Sequence, residues 1–226
     1  GSDLTEKDCK TIECTLCEHS IVMNKIFNRE ICVCAHVTQT RHAQKACAEM
    51  RGIMEQEIRL LCSGYAAETG SDLLAVKLFE NTETGEVHTE VTGGIRQGDS
   101  PSFSLLHGGF LYTVAELVGE KHAYIYQYRL SEDGIPVPTG KKIFLPGGEL
   151  CHLYAGKKAL YASCYGTGDF FAVDYDLEKI RWHRSPGAGV IDAQTEKICP
   201  HAHWVSEQDN ILYLADLGCD LSLIHI

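Results

Sequence analysis

The sequence lacks any apolar stretch close to the roughly 20 residues that a helix needs to cross a bilayer. It also lacks a basic segment followed by an apolar run, the pattern of a secretory leader. Both absences favour a cytoplasmic protein without a membrane partner. With 226 residues, 44% of them hydrophobic, the chain can bury a core in one or two domains.

Basic residues are also scarce, since 20 Lys and Arg oppose 31 Asp and Glu and leave a net charge of -11. An acidic protein repels a phosphate backbone, so we expect no nucleic-acid partner. A small anionic substrate is still compatible with this charge, because a few arginines can be concentrated in one channel.

Cysteine, in contrast, is abundant: the chain has 11, and six of them precede residue 48. Such a number suggests disulfides in a small secreted protein, but the missing leader argues against that compartment. Free cysteine in a strand or turn behaves as a small hydrophobe. We therefore expect reduced thiols in the later part of the chain, at Cys62, Cys151, Cys164, Cys199 and Cys219.

Residues 1–57 differ from the rest of the chain, and Gly1-Ser2 in place of an initiator Met suggests a tag remnant or the edge of a fragment. This segment holds most of the candidate zinc ligands: Cys9, Cys14, Cys17, His19, Cys32, Cys34 and His36. A structural zinc site needs well-placed pairs, and only Cys14-x2-Cys17 has such spacing. We expect a Cys-rich extension, partly helical or disordered, that binds no metal.

Residues 38–61 carry apolar side chains at helical spacing, among them Ala43, Ala46, Met50 and Ile53. The spacing predicts a helix that leads into the first strand of the following region.

Three tyrosines mark an internal repeat: Tyr112, Tyr161 and Tyr213 are separated by 49 and 52 residues. Each lies in the second half of a hairpin-like segment, and further β-rich runs closed by turns occupy residues 73–79, 123–128 and 170–175. About four short strands in roughly 50 residues is the size of one propeller blade, and no long helical pattern follows residue 60.

The repeat predicts an all-β fold: a β-propeller of four-stranded antiparallel blades over residues 58–220, forming an incomplete ring. The segment 221–226 departs from the repeat and resembles translated sequencing-adapter sequence. We expect it to be a non-native or artefactual tail that does not continue the propeller pattern.

Motifs in each repeat carry a resemblance to a known family. They are Ser100-Pro101-Ser102-Phe103 with Leu111-Tyr112-Thr113-Val114-Ala115-Glu116, Cys151-His152-Leu153 with Tyr165-Gly166-Thr167-Gly168, and Pro200-His201-Ala202-His203 with Tyr213-Leu214-Ala215-Asp216-Leu217-Gly218. Their order and spacing over residues 60–220 resemble the seven-bladed β-propeller lactonases of the 6-phosphogluconolactonase type. Ala115 and Cys164 stand where that family usually has Asn. The resemblance implies a fragment of three to four blades.

The resemblance implies an enzyme, a carboxylic ester hydrolase acting on a small sugar lactone without a cofactor. Its substrate would be 6-phosphogluconolactone, opened to 6-phosphogluconate in the pentose phosphate pathway of glucose metabolism, and the full-length protein would be a monomer. Two alternatives stay open: a non-catalytic propeller scaffold, and a carboxymuconate-type lactonising isomerase that grips two carboxylates with arginines.

Lactone opening needs a water activated by a base with a pKa near neutrality, and a donor or cation for the oxyanion. The candidate catalytic residues are Glu116, His152, His201 and His203. Alternate strand residues share a face, so His201 and His203 are predicted to point the same way.

Tyr165 and Arg96 are the candidate substrate-binding residues. Tyr165 is chosen because it lies at the end of a predicted strand, over the mouth of the propeller's central channel. A single histidine is more often a packing residue that hydrogen-bonds a neighbouring blade, and the convergent set is what favours chemistry. Asp216 is predicted to have a turn role. No metal cluster is visible in the repeats. Because later blades would complete the channel, we expect these 226 residues alone to be nearly inactive.

Elemental analysis tests the extension. We expect no stoichiometric metal in the purified chain. About one zinc per chain, lost in Cys14→Ser or Cys17→Ser, would contradict this expectation.

Overall fold

The computed structural model describes residues 10–12, 21–26, 29–31, 55–65, 70–185, 200–218 and 221–225. All helix or strand structure in these residues is β-strand. Within them, no helix offers the length and apolar character of a membrane span. The chain divides into two compact units, Gly1–Gln97 with Leu130–Pro136, and Gly98–Arg129 with Val137–Ile226.

The first unit contains two antiparallel sheets of three strands each, in the orders β1-β2-β3 and β4-β5-β6. The strands are β1 (Lys10–Ile12), β2 (Ile21–Ile26), β3 (Arg29–Ile31), β4 (Glu55–Ser63), β5 (Leu73–Asn81) and β6 (Val87–Ile95). The part of the extension that the structure describes is thus strand. Its predicted metal ligands at Cys9, Cys14, Cys17, His19, Cys32, Cys34 and His36 lie outside the described residues.

The predicted helix over residues 38–61 is wrong for its last turns. Strand β4 begins at Glu55 and pairs antiparallel with β5 over nine residues, from Glu55 opposite Asn81 to Ser63 opposite Leu73. Pairing and burial of alternate residues such as Leu61 outweigh a weak local preference for helix. Residues 38–54 lie outside the described part of the chain.

The remaining strands form three antiparallel sheets, which belong to the second unit except for the segment 130–136. Counting the sheet of β4, β5 and β6 as the first repeat sheet, the second holds β7 (Ser104–His107), β8 (Phe110–Ala115), β9 (Ala123–Leu130) and β10 (Pro136–Leu145). The third holds β11 (Leu150–Ala155), β12 (Leu160–Cys164), β13 (Phe170–Val173) and β14 (Ile180–Arg184). The fourth holds β15 (Ala202–Gln208), β16 (Ile211–Asp216) and β17 (Leu221–His225).

The predicted meander of antiparallel strands is confirmed, because the strands of each sheet follow one another in chain order. The expectation that the tail departs from the pattern is wrong. Strand β17 pairs antiparallel with β16, from Leu212 opposite His225 to Asp216 opposite Leu221, and so continues the fourth sheet.

The third sheet is buried on both faces, because successive residues of a strand point to opposite sides. On one face, Leu160, Ala162 and Phe171 join the core that contains Val114 and Ile125 of the second sheet. On the other face, Tyr161, Phe170 and Ala172 pack with Val205 of the fourth sheet. The alternation therefore fixes the order of the three sheets in this unit.

One backbone hydrogen bond recurs in all three repeats of the second unit. The residue four positions after each repeat tyrosine donates its N–H to the carbonyl oxygen of a residue shortly before the first strand of the same sheet, here called the inner strand (β7, β11 or β15). The bonds run from Glu116 to Ser100 at 3.1 Å, from Tyr165 to Glu149 at 2.8 Å, and from Leu217 to His201 at 2.9 Å. Since an inner strand follows each acceptor, this bond brings the end of one strand beside the start of another.

The contribution of this core to the free energy of unfolding can be measured. Phe171 is fully buried between two sheets, so Phe171→Ala should lower the free energy of unfolding by about 3–5 kcal/mol in chemical denaturation. Val118→Ala is the control, since Val118 is 74% exposed and should change stability by less than about 0.5 kcal/mol. Equal effects of the two variants would contradict the described packing.

Candidate functional site

Tyr165, His201 and His203 form the centre of the candidate site. The His201 ring stacks on the Tyr165 ring, with centroids 4.2 Å apart and planes at 12°. The His203 ring meets the same tyrosine edge-on, at 6.0 Å and 87°. Both imidazoles therefore lie against one aromatic ring, and the prediction that they point the same way stays a prediction.

His201 is held in one tautomer by backbone. Its Nδ1 lies 2.7 Å from the carbonyl oxygen of Tyr165. A carbonyl only accepts hydrogen bonds, so Nδ1 carries the proton and donates it. In the neutral ring Nε2 is then the nitrogen with a lone pair, which is what a general base requires.

The backbone around His201 is fixed by Asp216, whose Oδ1 accepts the N–H of His201 at 2.9 Å and that of Gly218 at 3.0 Å. Asp216 is 7% exposed and sits at the end of β16. This is the turn role predicted for Asp216. Through these two bonds the carboxylate positions the backbone of His201.

His203 occupies a β-bulge. Ala202 pairs with Asp216 and Trp204 with Ala215, so His203 is the extra residue between them. The third sheet has the same irregularity, with Leu150 opposite Cys164 and His152 opposite Ser163, so that Cys151 is the extra residue there. A bulge redirects a side chain from the regular alternation, and His203 is accordingly exposed.

His152 lies one residue beyond the bulge in β11, so its counterpart in the fourth sheet is Trp204. Its ring lies 4.7 Å from that of Phe103 and 6.2 Å from that of Trp204, which makes a row of three rings. Burial, and secondly the charge of His203, lower the pKa of His152 to about 3. His152 is thus neutral at physiological pH and is unsuited to be the base.

The tautomer of His152 follows from its neighbour. The N–H of Val205 donates to its Nδ1 at 3.4 Å, so the ring proton is on Nε2. His152 can therefore donate a hydrogen bond without carrying a charge.

Cys151 lies beside these residues, although no chemical role was predicted for it. Its thiol contacts the carbonyl oxygens of Ser163 at 3.5 Å and of Ala202 and His203 at 3.7 Å. Burial, reinforced by the charge of Glu116, raises its pKa to about 12. The thiol stays protonated and links β11 to the bulge of β15, so it is not a nucleophile.

Glu116 follows β8 and lies close enough to Cys151 to raise its pKa. The second unit thus brings Glu116, His152, Tyr165, His201 and His203 into one neighbourhood. Arg96 directly follows β6 in the first unit, where its side chain is exposed. Its predicted role as a substrate ligand stays a prediction.

In the part of the chain that the structure describes, no three His, Cys, Asp or Glu side chains are grouped so that they could hold a metal ion.

The chain has antiparallel sheets in series, as is typical of a β-propeller. It belongs to the family described as "Lactonase, 7-bladed beta-propeller", which matches residues 59–225.

Two solved structures are similar to this chain. One is a proposed 6-phosphogluconolactonase of Bacteroides fragilis, with 22% identity and a TM-score of 0.59. The other is a proposed 6-phosphogluconolactonase of Bacteroides uniformis, with 17% identity and a TM-score of 0.57. The matches cover 74% of this chain but 48% and 49% of theirs, so it spans about half their length. Such low identities establish a shared fold alone. No protein of curated function matches the chain.

The buried neutral state of His152 predicts a pH effect on stability. In the unfolded chain an ordinary histidine takes up a proton near pH 6.5, whereas folded His152 takes it up near pH 3. Its contribution to stability is therefore lost progressively as the pH falls from about 6.5 towards 3. In His152→Gln the free energy of unfolding should therefore fall less steeply with falling pH over this range than in the unsubstituted chain. Urea denaturation at several pH values measures both slopes. The same slope of unfolding free energy against pH in both proteins would contradict the buried, neutral state of His152.

Proposed function

We propose that the protein hydrolyses a sugar lactone, with His201 as the general base. One observation carries the proposal: the Tyr165 carbonyl holds the proton of His201 on Nδ1, leaving Nε2 as proton acceptor, in a chain of the lactonase family. The stacked Tyr165 ring keeps the imidazole in one orientation.

In the proposed reaction, Nε2 of His201 takes a proton from water while the water oxygen bonds to the lactone carbonyl carbon. The carbonyl oxygen becomes an oxyanion, and a neutral donor such as Nε2–H of His152 stabilises it. When the intermediate collapses, the bond from the carbonyl carbon to the ring oxygen breaks. The proton held by His201 then passes to that oxygen, which gives an open-chain hydroxy acid.

For the substrate we propose 6-phosphogluconolactone, supported by the motif resemblance and by the names of the two Bacteroides proteins. The assay compares this lactone, unphosphorylated gluconolactone and carboxymuconate in the full-length natural protein. Turnover of the phosphorylated lactone above the spontaneous rate is the expected result. Turnover of carboxymuconate would instead favour a lactonising isomerase, and turnover of none would favour a binding scaffold.

Three variants test His201, the proposed base, and the two remaining sequence candidates, His203 and Glu116. If their side chains exchange protons during catalysis, His201→Gln, His203→Ala and Glu116→Gln should each lower kcat/KM by about 10²-fold or more in the full-length natural protein. Circular dichroism should show a preserved fold. The matched control is His122→Gln, because His122 stacks on Phe144 outside the cluster and should leave kcat/KM unchanged. Wild-type rates in the three cluster variants would place the chemistry elsewhere.

We propose that catalysis also needs groups from outside these residues, because the chain spans about half of the solved structures that it matches. A water-poor site needs walls on all sides for its dipoles to act strongly. The 226-residue chain should therefore be nearly inactive in the lactone assay, while the full-length natural protein is active. Equal activity of both would show that these 226 residues suffice.

A further inference from the structure

Glu149 connects two loops of the candidate site, yet it belongs to none of the sequence motifs. Its Oε1 accepts the N–H of Gly119 at 2.9 Å, in the turn that directly follows Glu116. Its backbone carbonyl accepts the N–H of Tyr165 at 2.8 Å. One residue thus holds the Glu116 turn with its side chain and Tyr165 with its backbone.

The fit around Glu149 is tight. A Cβ on Gly166 would lie 2.9 Å from Cγ and Cδ of Glu149, so the carboxylate stem packs directly on this glycine. A Cβ on the preceding Gly148 would lie 2.1 Å from the backbone oxygen of Glu120. Both glycines permit the loop after Tyr165 and the turn after Glu116 to approach the residue between them.

The backbone of Glu149 is left-handed, with a φ of 55°. This conformation is costly for a residue with a Cβ, and glycine would adopt it more easily. Ser100, the counterpart of Glu149 in the second repeat, also has a positive φ, of 50°. Two of the three equivalent positions thus share this backbone shape, and what Glu149 adds is a carboxylate that reaches Gly119.

We propose that Glu149 is a positioning residue for the hydrolytic site. It fixes the turn that carries Glu116 against Tyr165, and Tyr165 in turn fixes His201 through its carbonyl and its ring. This inference rests on the proposed function for its kinetic consequences. The counterpart of Glu149 in the fourth repeat is His201 itself, so the same position supplies the proposed base in one repeat and its support in another.

The test uses three substitutions in the full-length natural protein. Glu149→Gln keeps an oxygen that can accept from Gly119, Glu149→Ala removes it and keeps the backbone strain, and Glu149→Gly removes both. Misplacement of a catalytic group by about 1 Å can cost about 10²-fold in rate. We therefore expect kcat to fall by at least about 10-fold in Glu149→Ala and Glu149→Gly, with KM within about 3-fold, and to stay near the wild-type value in Glu149→Gln.

A second readout does not depend on activity. Stacking on Tyr165 should shift the ring-proton resonances of His201 in the nuclear magnetic resonance spectrum. This shift should shrink in Glu149→Ala and Glu149→Gly and persist in Glu149→Gln. Recovery of the shift and of kcat in Glu149→Gly would overturn the proposal, because backbone strain alone would then explain the loss. An unchanged shift in Glu149→Ala would overturn it as well.

The two proposals can fail separately. If the wild-type protein hydrolyses no lactone but the His201 shift responds to the three variants as expected, Glu149 positions the cluster and the proposed function is wrong. If lactone hydrolysis is present and indifferent to Glu149→Ala, the positioning role is wrong.

Discussion

The candidate site depends on one recurring backbone hydrogen bond. In each repeat of the second unit it joins the residue four positions beyond the repeat tyrosine to a residue shortly before the inner strand. Because it joins backbone atoms, it survives wide changes of side chain between repeats. Its donors are Glu116, Tyr165 and Leu217, and its acceptors are Ser100, Glu149 and His201. A shared backbone frame thus presents different side chains at equivalent positions, and the chemistry arises from those differences.

Two local departures from regular strand geometry shape the site within that frame. The bulges at Cys151 and His203 interrupt the alternation at equivalent points of the third and fourth sheets. Cys151 stays inert there because burial keeps its thiol protonated, and it contacts the carbonyl of His203. Burial also keeps His152 neutral, so the histidines of the cluster are not equivalent, and we propose His201 as the base.

Much of the second unit could be predicted from sequence, since the tyrosine period and alternating apolar residues report a repeated sheet directly. The strand that begins at Glu55 and the pairing of β17 could not be predicted in this way. Both depend on a partner strand, β5 and β16 respectively, and the local sequence carries no information about that pairing. The contacts of Cys151 and Glu149 could not be predicted from the sequence either. They depend on bulges and on contacts between distant turns, which leave no short motif.

The central claim is that Tyr165 holds the proton of His201 on Nδ1 so that Nε2 can act as the base. Long-range ¹H–¹⁵N spectra of the imidazoles, recorded on the ligand-free protein near neutral pH, measure this directly. The account predicts that the neutral form of the His201 ring carries its proton on Nδ1. A neutral ring protonated at Nε2 would contradict it, because the lone pair would then face the Tyr165 carbonyl and the proposed base would not exist.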